Sequence, residues 1–104
     1  MNGSTYMKDD GYFVYMMTNK NNTVIYVDTI NHNILELLSG VNDFLTAFTK
    51  DHKINKLVYY ENTDGLEKAF KRQEELRALS RNHKNRLVEK NNPGWKNLIH
   101  QLVK

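Results

Sequence analysis

Hydrophobic and polar positions along the chain fall into runs of two different kinds. Tyr12-Phe13-Val14-Tyr15-Met16-Met17 and Thr23-Val24-Ile25-Tyr26-Val27 are short, apolar and rich in β-branched and aromatic side chains. Between them lies Thr18-Asn19-Lys20-Asn21-Asn22, which has the composition of a turn. The two runs predict a β-hairpin. A first helix is predicted near Asn33 to Ser39, capped by Asn31 and ended by Gly40, with Ile34, Leu37 and Leu38 on one face. Val41, Phe44, Leu45 and Phe48 continue that period. Lys56-Leu57-Val58-Tyr59-Tyr60-Glu61 reads as a third strand. Its distance from the hairpin suggests pairing across a helical crossover rather than a tight turn.

The second half of the chain changes to a helical period. Leu66, Ala69, Phe70, Gln73, Leu76 and Leu79 recur at spacings of three and four, which predicts an amphipathic helix from Asp64 to Leu79. Gln73 is the polar member of that stripe. Ser80 is placed to cap a further helix running through Lys90. Asn92-Pro93-Gly94-Trp95 reads as a last helix start, with Asn as cap and Pro in the first turn. Trp95, Leu98, Ile99, Leu102 and Val103 then form one apolar stripe, with Trp95 as a core anchor. The expected order is ββαβ followed by helices. This is one α+β domain over residues 11–104, a small three-stranded sheet (the β-hairpin plus one further strand) packed by helices. Residues 1–10 are expected to form a loose polar tail.

Composition narrows the chemistry. There is no cysteine among the 104 residues, which excludes disulfides, thiolate metal sites and cysteine nucleophiles. No apolar run is long enough to span a bilayer, and the polar first residues have no apolar core of a secretory signal. A cytoplasmic location with no membrane partner is expected. The formal charge of +3 is uneven. Residues 1–62 hold five Lys against seven Asp and Glu, whereas residues 63–104 hold ten Lys and Arg against five. Two readings stand: a surface that meets phosphates, and a solvated helical face.

Beyond composition, specific strings stand out. These are Tyr12 to Val27 (YFVYMMTNKNNTVIYV), Phe48-Thr49-Lys50, Asn55 to Glu61 (NKLVYYE), Ala69 to Arg72, Leu79-Ser80-Arg81 and Val88 to Leu98 (VEKNNPGWKNL). Together they make the chain resemble the GIY-YIG nuclease superfamily, in its small single-domain bacterial branch. The resemblance implies a phosphodiester-hydrolysing fold with metal-assisted chemistry. In that family two tyrosines help position or deprotonate the attacking water, and a helix arginine neutralises the phosphate. A histidine or tyrosine one turn later assists, and a glutamate on the next long helix holds a divalent cation.

Carried over position by position, the tyrosines fall on Tyr15 and Tyr26. The glycine that follows the second motif falls on Asp28, and the helix arginine on Glu36. The residue one turn later falls on Gly40. The metal glutamate falls on Gln73, preceded by Arg72. No arginine occurs before Arg72, so no local shift restores the first-helix arginine. Glu74 and Glu75 adjoin Gln73 but point away from its face, because a helix turns about 100° per residue. Arginine offers phosphate a forked, permanently charged donor, whereas Glu36 repels it. At ~5 Å and an effective dielectric of about 20, one such charge pair is worth roughly 3 kcal/mol in either direction. Gln73 is a far weaker ligand for a hard cation than a carboxylate.

The leading expectation is therefore a catalytically impaired GIY-YIG endonuclease-like domain. It would bind DNA or other nucleic acid without efficient cleavage, with Lys71, Arg72, Arg77, Arg81 and Lys84 as candidate phosphate contacts. No metal ligand and no cofactor are expected in that case. One alternative is a divergent active endonuclease using Mg or Mn, for which Asp28 and Glu36 with His32 would supply a relocated metal site. The plain reading of those three is a strand-end or helix-entry Asp28, a solvated Glu36 and an exposed His32. The other alternative is a protein-interaction module using the apolar residues Phe44, Leu45 and Phe48. Tyr15 and Tyr26 are read either as retained functional groups or as packing residues of a half-buried hairpin.

Overall fold

The computed structural model describes residues 11–38 and 53–102. The expected tail, Gly40 and the apolar positions Val41, Phe44, Leu45 and Phe48 lie outside the described residues. The elements are β1 (Gly11–Thr18), β2 (Ile25–Asn31), α1 (His32–Leu38), β3 (Lys56–Asp64), α2 (Leu66–Ala78), α3 (Arg81–Asn91) and α4 (Ile99–Leu102). They form an α+β domain with a three-stranded sheet of order β2-β1-β3. The central strand β1 is antiparallel to both neighbours. β2 and β3 therefore run parallel to one another at opposite edges, the relation expected across a crossover. Among the described residues no helix is long and apolar enough to cross a membrane.

β1 is buried from Val14 through Thr18 without a break. A central strand covered on both faces has no solvent side to alternate with. Val14 and Met16 join Val27, Val58, Ala69, Leu76 and Val88 in the cluster under α2 and α3. Tyr15 and Met17 join Ile30, Leu35, Leu57 and Ile99 in the cluster under α1 and α4. A register shift between Met16 and Met17 puts Val58 and Tyr59 in the same cluster, the two-against-one arrangement of a β-bulge. Leu76 and Val88 are fully buried, and each such side chain contributes about 1.5–3 kcal/mol.

The connections follow local chemistry. In the hairpin, the Asn22 amide donates to the Asn19 carbonyl at 3.1 Å, and Asn22 takes a φ of 57°, which asparagine tolerates well. The Asn19 side chain clamps Thr23 twice, and the buried Thr18 hydroxyl donates to the Val24 carbonyl. Asn31 caps α1 as expected, its Oδ1 accepting from the amides of Asn33 and Ile34. Gly65 joins β3 to α2 at a φ of 83°, a conformation open to glycine at no steric cost. Ser80 caps α3 by accepting from the His83 amide.

Four expectations need correction. β2 starts at Ile25, not Thr23, and runs on to Asn31, so Asp28 is a strand residue and not a strand end. Leu66 and Phe70 are 60% and 58% exposed; the buried seam of α2 is the narrower set Ala69, Gln73 and Leu76. His32 is half-buried, its ring 4.2 Å from that of Phe13. Gly11 permits this, since a Cβ there would fall 2.6 Å from the His32 Nδ1. Finally, Asn92 does not start a helix. Asn92-Pro93-Gly94-Trp95 is a turn closed by the Trp95 amide on the Asn92 carbonyl at 3.0 Å, and α4 begins only at Ile99.

The Asn92 side chain instead covers the outer edge of β3. Its Nδ2 donates to the carbonyls of Val58 and Lys96, and its Oδ1 accepts from the Lys96 amide. Asn97 Oδ1 accepts from the Leu57 amide, and the Leu98 amide donates to the Leu57 carbonyl. At the other edge, Arg77 Nε donates to the Val27 carbonyl of β2. Open edges template unwanted strand pairing, and here side chains occupy part of both.

Candidate functional site

The register decides which of the expected site residues meet. Tyr15 pairs directly with Asp28, and Tyr26 with Met17. Side chains opposite one another in an antiparallel pair share a face. Tyr15, Asp28 and Tyr26 therefore lie on the face covered by α1 and α4. Their environments differ sharply: Tyr15 is 1% exposed and Tyr26 is 53% exposed. Burial, reinforced by the negative Asp28, pushes the Tyr15 phenol far above its ordinary range. A phenol held neutral in this way is a poor base for water at neutral pH.

Gln73 is on the other face. Its Oε1 accepts from the Thr29 hydroxyl at 2.7 Å, and Thr29 pairs with Val14 of the first cluster. The sheet thus separates Gln73 from Tyr15. Asp28 is exposed; its Oδ1 accepts from the Thr29 amide and lies 3.8 Å from Arg77 Nη2. Glu36 is exposed on α1. Gly40 lies outside the described residues. Among the described residues no three His, Cys, Asp or Glu side chains converge where they would hold a metal ion.

The cations singled out from the sequence divide by what they touch. Arg72 grips Glu61 with a two-pronged contact, Nε to Oε1 at 2.8 Å and Nη2 to Oε2 at 2.7 Å, and also reaches Glu75. Tyr59 donates its hydroxyl to the same Glu61 carboxylate. Arg72 holds the Glu61 carboxyl below its usual range. Burial, together with the Glu61 carboxylate, pushes the Tyr59 phenol up to about 12. Arg77 binds the Val27 carbonyl and Glu74. Arg81 donates to the carbonyls of Asn22 and Thr23 in the hairpin turn and to Asn85. Lys84 donates to the Arg77 carbonyl. Lys71 is exposed on the outer side of α2.

Two residues of α3, Arg86 and Lys90, lie outside the set of phosphate contacts expected from the sequence. They stand four positions apart on one exposed side of the helix. Among the described residues neither has an ion-pair or hydrogen-bond partner. α3 carries Arg81, Lys84, Arg86 and Lys90 against the single carboxylate Glu89, which accepts from Trp95 Nε1. Four cations in eleven residues is the signal the sequence carries for them, and the acidic residues of α2 dilute it in the charge of the chain's second half.

Comparison with known proteins returns nothing. No family model, no curated protein and no solved structure matches the chain.

Proposed function

We propose that this chain is a nucleic-acid-binding domain, GIY-YIG-like in layout, that does not cleave what it binds. The observation that carries the binding is the outward face of α3. Arg86 and Lys90 are exposed there with no internal partner among the described residues. Unpaired cations of this kind meet phosphates and displace condensed counter-ions. The lack of cleavage follows from the arrangement of the other groups. The tyrosine that would activate water is buried and held neutral. The position that would hold the metal is a neutral glutamine on the opposite face of the sheet. The position that would steady the phosphate is an exposed carboxylate, Glu36.

Fluorescence anisotropy with labelled duplex, branched and single-stranded oligonucleotides at low salt tests the binding. Association that weakens linearly on a log–log plot against salt is expected. If none of the three oligonucleotides associates at the lowest salt, the proposal is lost. Incubation of the bound complexes with Mg or Mn tests the rest, and product above the background of a protein-free control would overturn the non-cleaving part.

A further inference from the structure

We infer that the pocket between the end of α3, the outer edge of β3 and α4 takes one unpaired base of a single-stranded nucleic acid. The inference rests on the nucleic-acid reading above and concerns the part of the ligand that phosphate contacts leave unread. The pocket has a volume of about 270 Å³ and is lined by Val58, Tyr59, Tyr60, Asn91, Leu98 and Gln101. Drug-sized ligands occupy pockets of about 300–1,000 Å³. This smaller one suits a single ring system, with the sugar and phosphate left outside.

The groups that line it set the ligand class. Val58 belongs to the first core cluster, and Tyr60 and Leu98 pack against the second, so part of the wall is apolar and suits the face of a flat ring. Gln101 and Asn91 add carboxamides. The Gln101 Oε1 accepts from the Tyr60 hydroxyl at 3.1 Å, and the Tyr60 ring is held edge-on to Phe13 at 5.7 Å. Gln101 is thereby oriented, with its Nε2 donor left for a ligand. Asn91, exposed at the last position of α3, brings a donor and an acceptor on one planar group. Such groups match the neighbouring donor and acceptor sites along the edge of a base. A pocket admits a base only when it is out of the helical stack. Lys90 directly precedes Asn91 and is exposed, so a base seated here carries its phosphate toward the cationic side of α3. An extended peptide is the other ligand that a strand edge invites, but this stretch of edge is already in use. Asn92 Nδ2 donates to the Val58 carbonyl, and the Leu98 amide donates to the Leu57 carbonyl.

The test uses the whole chain and a variant carrying Asn91→Ala and Gln101→Ala, two exposed positions, with circular dichroism melts to show that both are folded. A labelled single strand at low salt should bind the variant about fivefold or more weakly than the natural protein, the loss expected when a base edge loses its partners. The salt slope should not change, because carboxamides meet the base and displace no counter-ions. Duplex affinity should stay within about twofold. Unchanged single-strand affinity in the variant, with the natural protein still binding, would overturn the inference and leave the nucleic-acid reading in place. An equal loss on the duplex would do the same, since a paired base cannot enter the pocket. Failure of the natural protein to bind any oligonucleotide would overturn both. Displacement of the strand by an equimolar amount of adenosine monophosphate, at matched ionic strength, would mark a site for free nucleotides and overturn the single-strand assignment. If the variant fails to fold, the side-chain amide signals of Asn91 and Gln101 in the natural protein decide. The single strand should move both, and stationary signals with the strand bound would overturn the inference.

Discussion

α2 and α3 each carry four cations, yet they use them differently. On α2, Lys68, Lys71, Arg72 and Arg77 share the helix with Glu67, Glu74 and Glu75. Its two arginines turn toward the sheet, Arg72 onto Glu61 of β3 and Arg77 onto the Val27 carbonyl of β2. They tie the helix to both edge strands. On α3, the N-terminal cations are similarly engaged, Arg81 with the hairpin and Lys84 with the end of α2. Arg86 and Lys90 are exposed and have no ion-pair or hydrogen-bond partner among the described residues. A count of cations does not distinguish anchoring groups from binding groups. What each one touches does.

The largest effect should come from the best-made anchor. Arg72→Ala leaves Glu61, a half-buried carboxylate, without its guanidinium, and should cost about 2 kcal/mol in urea denaturation. Duplex affinity should stay within about twofold if anchoring is its role. The same pair sets a pH signature. The folded Glu61 carboxyl lies below its ordinary value, so its contribution is fully present above the ordinary Glu range, near 4.3. It is lost as pH falls through the lower folded value. Urea midpoints compared at pH 6 and pH 3 should show a smaller acid loss in Arg72→Ala than in the natural protein.

Arg77→Ala should follow at about 1 kcal/mol, since it removes a charged donor from one edge carbonyl. Self-association detected by analytical ultracentrifugation would show that the freed β2 edge templates pairing. The smallest effect on stability should be that of the double variant Arg86→Gln with Lys90→Gln. It should unfold within about 0.5 kcal/mol of the natural protein. Its duplex-binding salt slope should nevertheless fall by about 2. A double variant that loses stability but keeps its slope would invert the contrast between the two helices.

Much of this architecture was legible locally. The unbroken apolar run of β1 matches a strand covered on both faces. Asn31 and Ser80 cap the helices that their side chains announce, and Gln73 is the buried polar member of the α2 seam. What was missed depends on contacts distant in sequence. Leu66 lies one turn beyond the seam and Phe70 about 100° round from Ala69, so the period marks a side of the helix but not where the sheet beneath it stops. Asn92 followed by proline fits a helix start and a turn equally well. Its partner, the Val58 carbonyl, is 34 positions away and decides for the turn. For the candidate site, the tyrosine spacing correctly placed Tyr15 and Tyr26 on the hairpin. Only the register shows that Tyr15 and Gln73 occupy opposite faces.

The most direct test is a single tube holding the natural protein and a labelled duplex at low salt, read by anisotropy and then, after addition of Mg, on a denaturing gel. The account predicts a bound duplex that is released as salt rises and is recovered at full length. A duplex that never binds, or one that is shortened while bound, would contradict it.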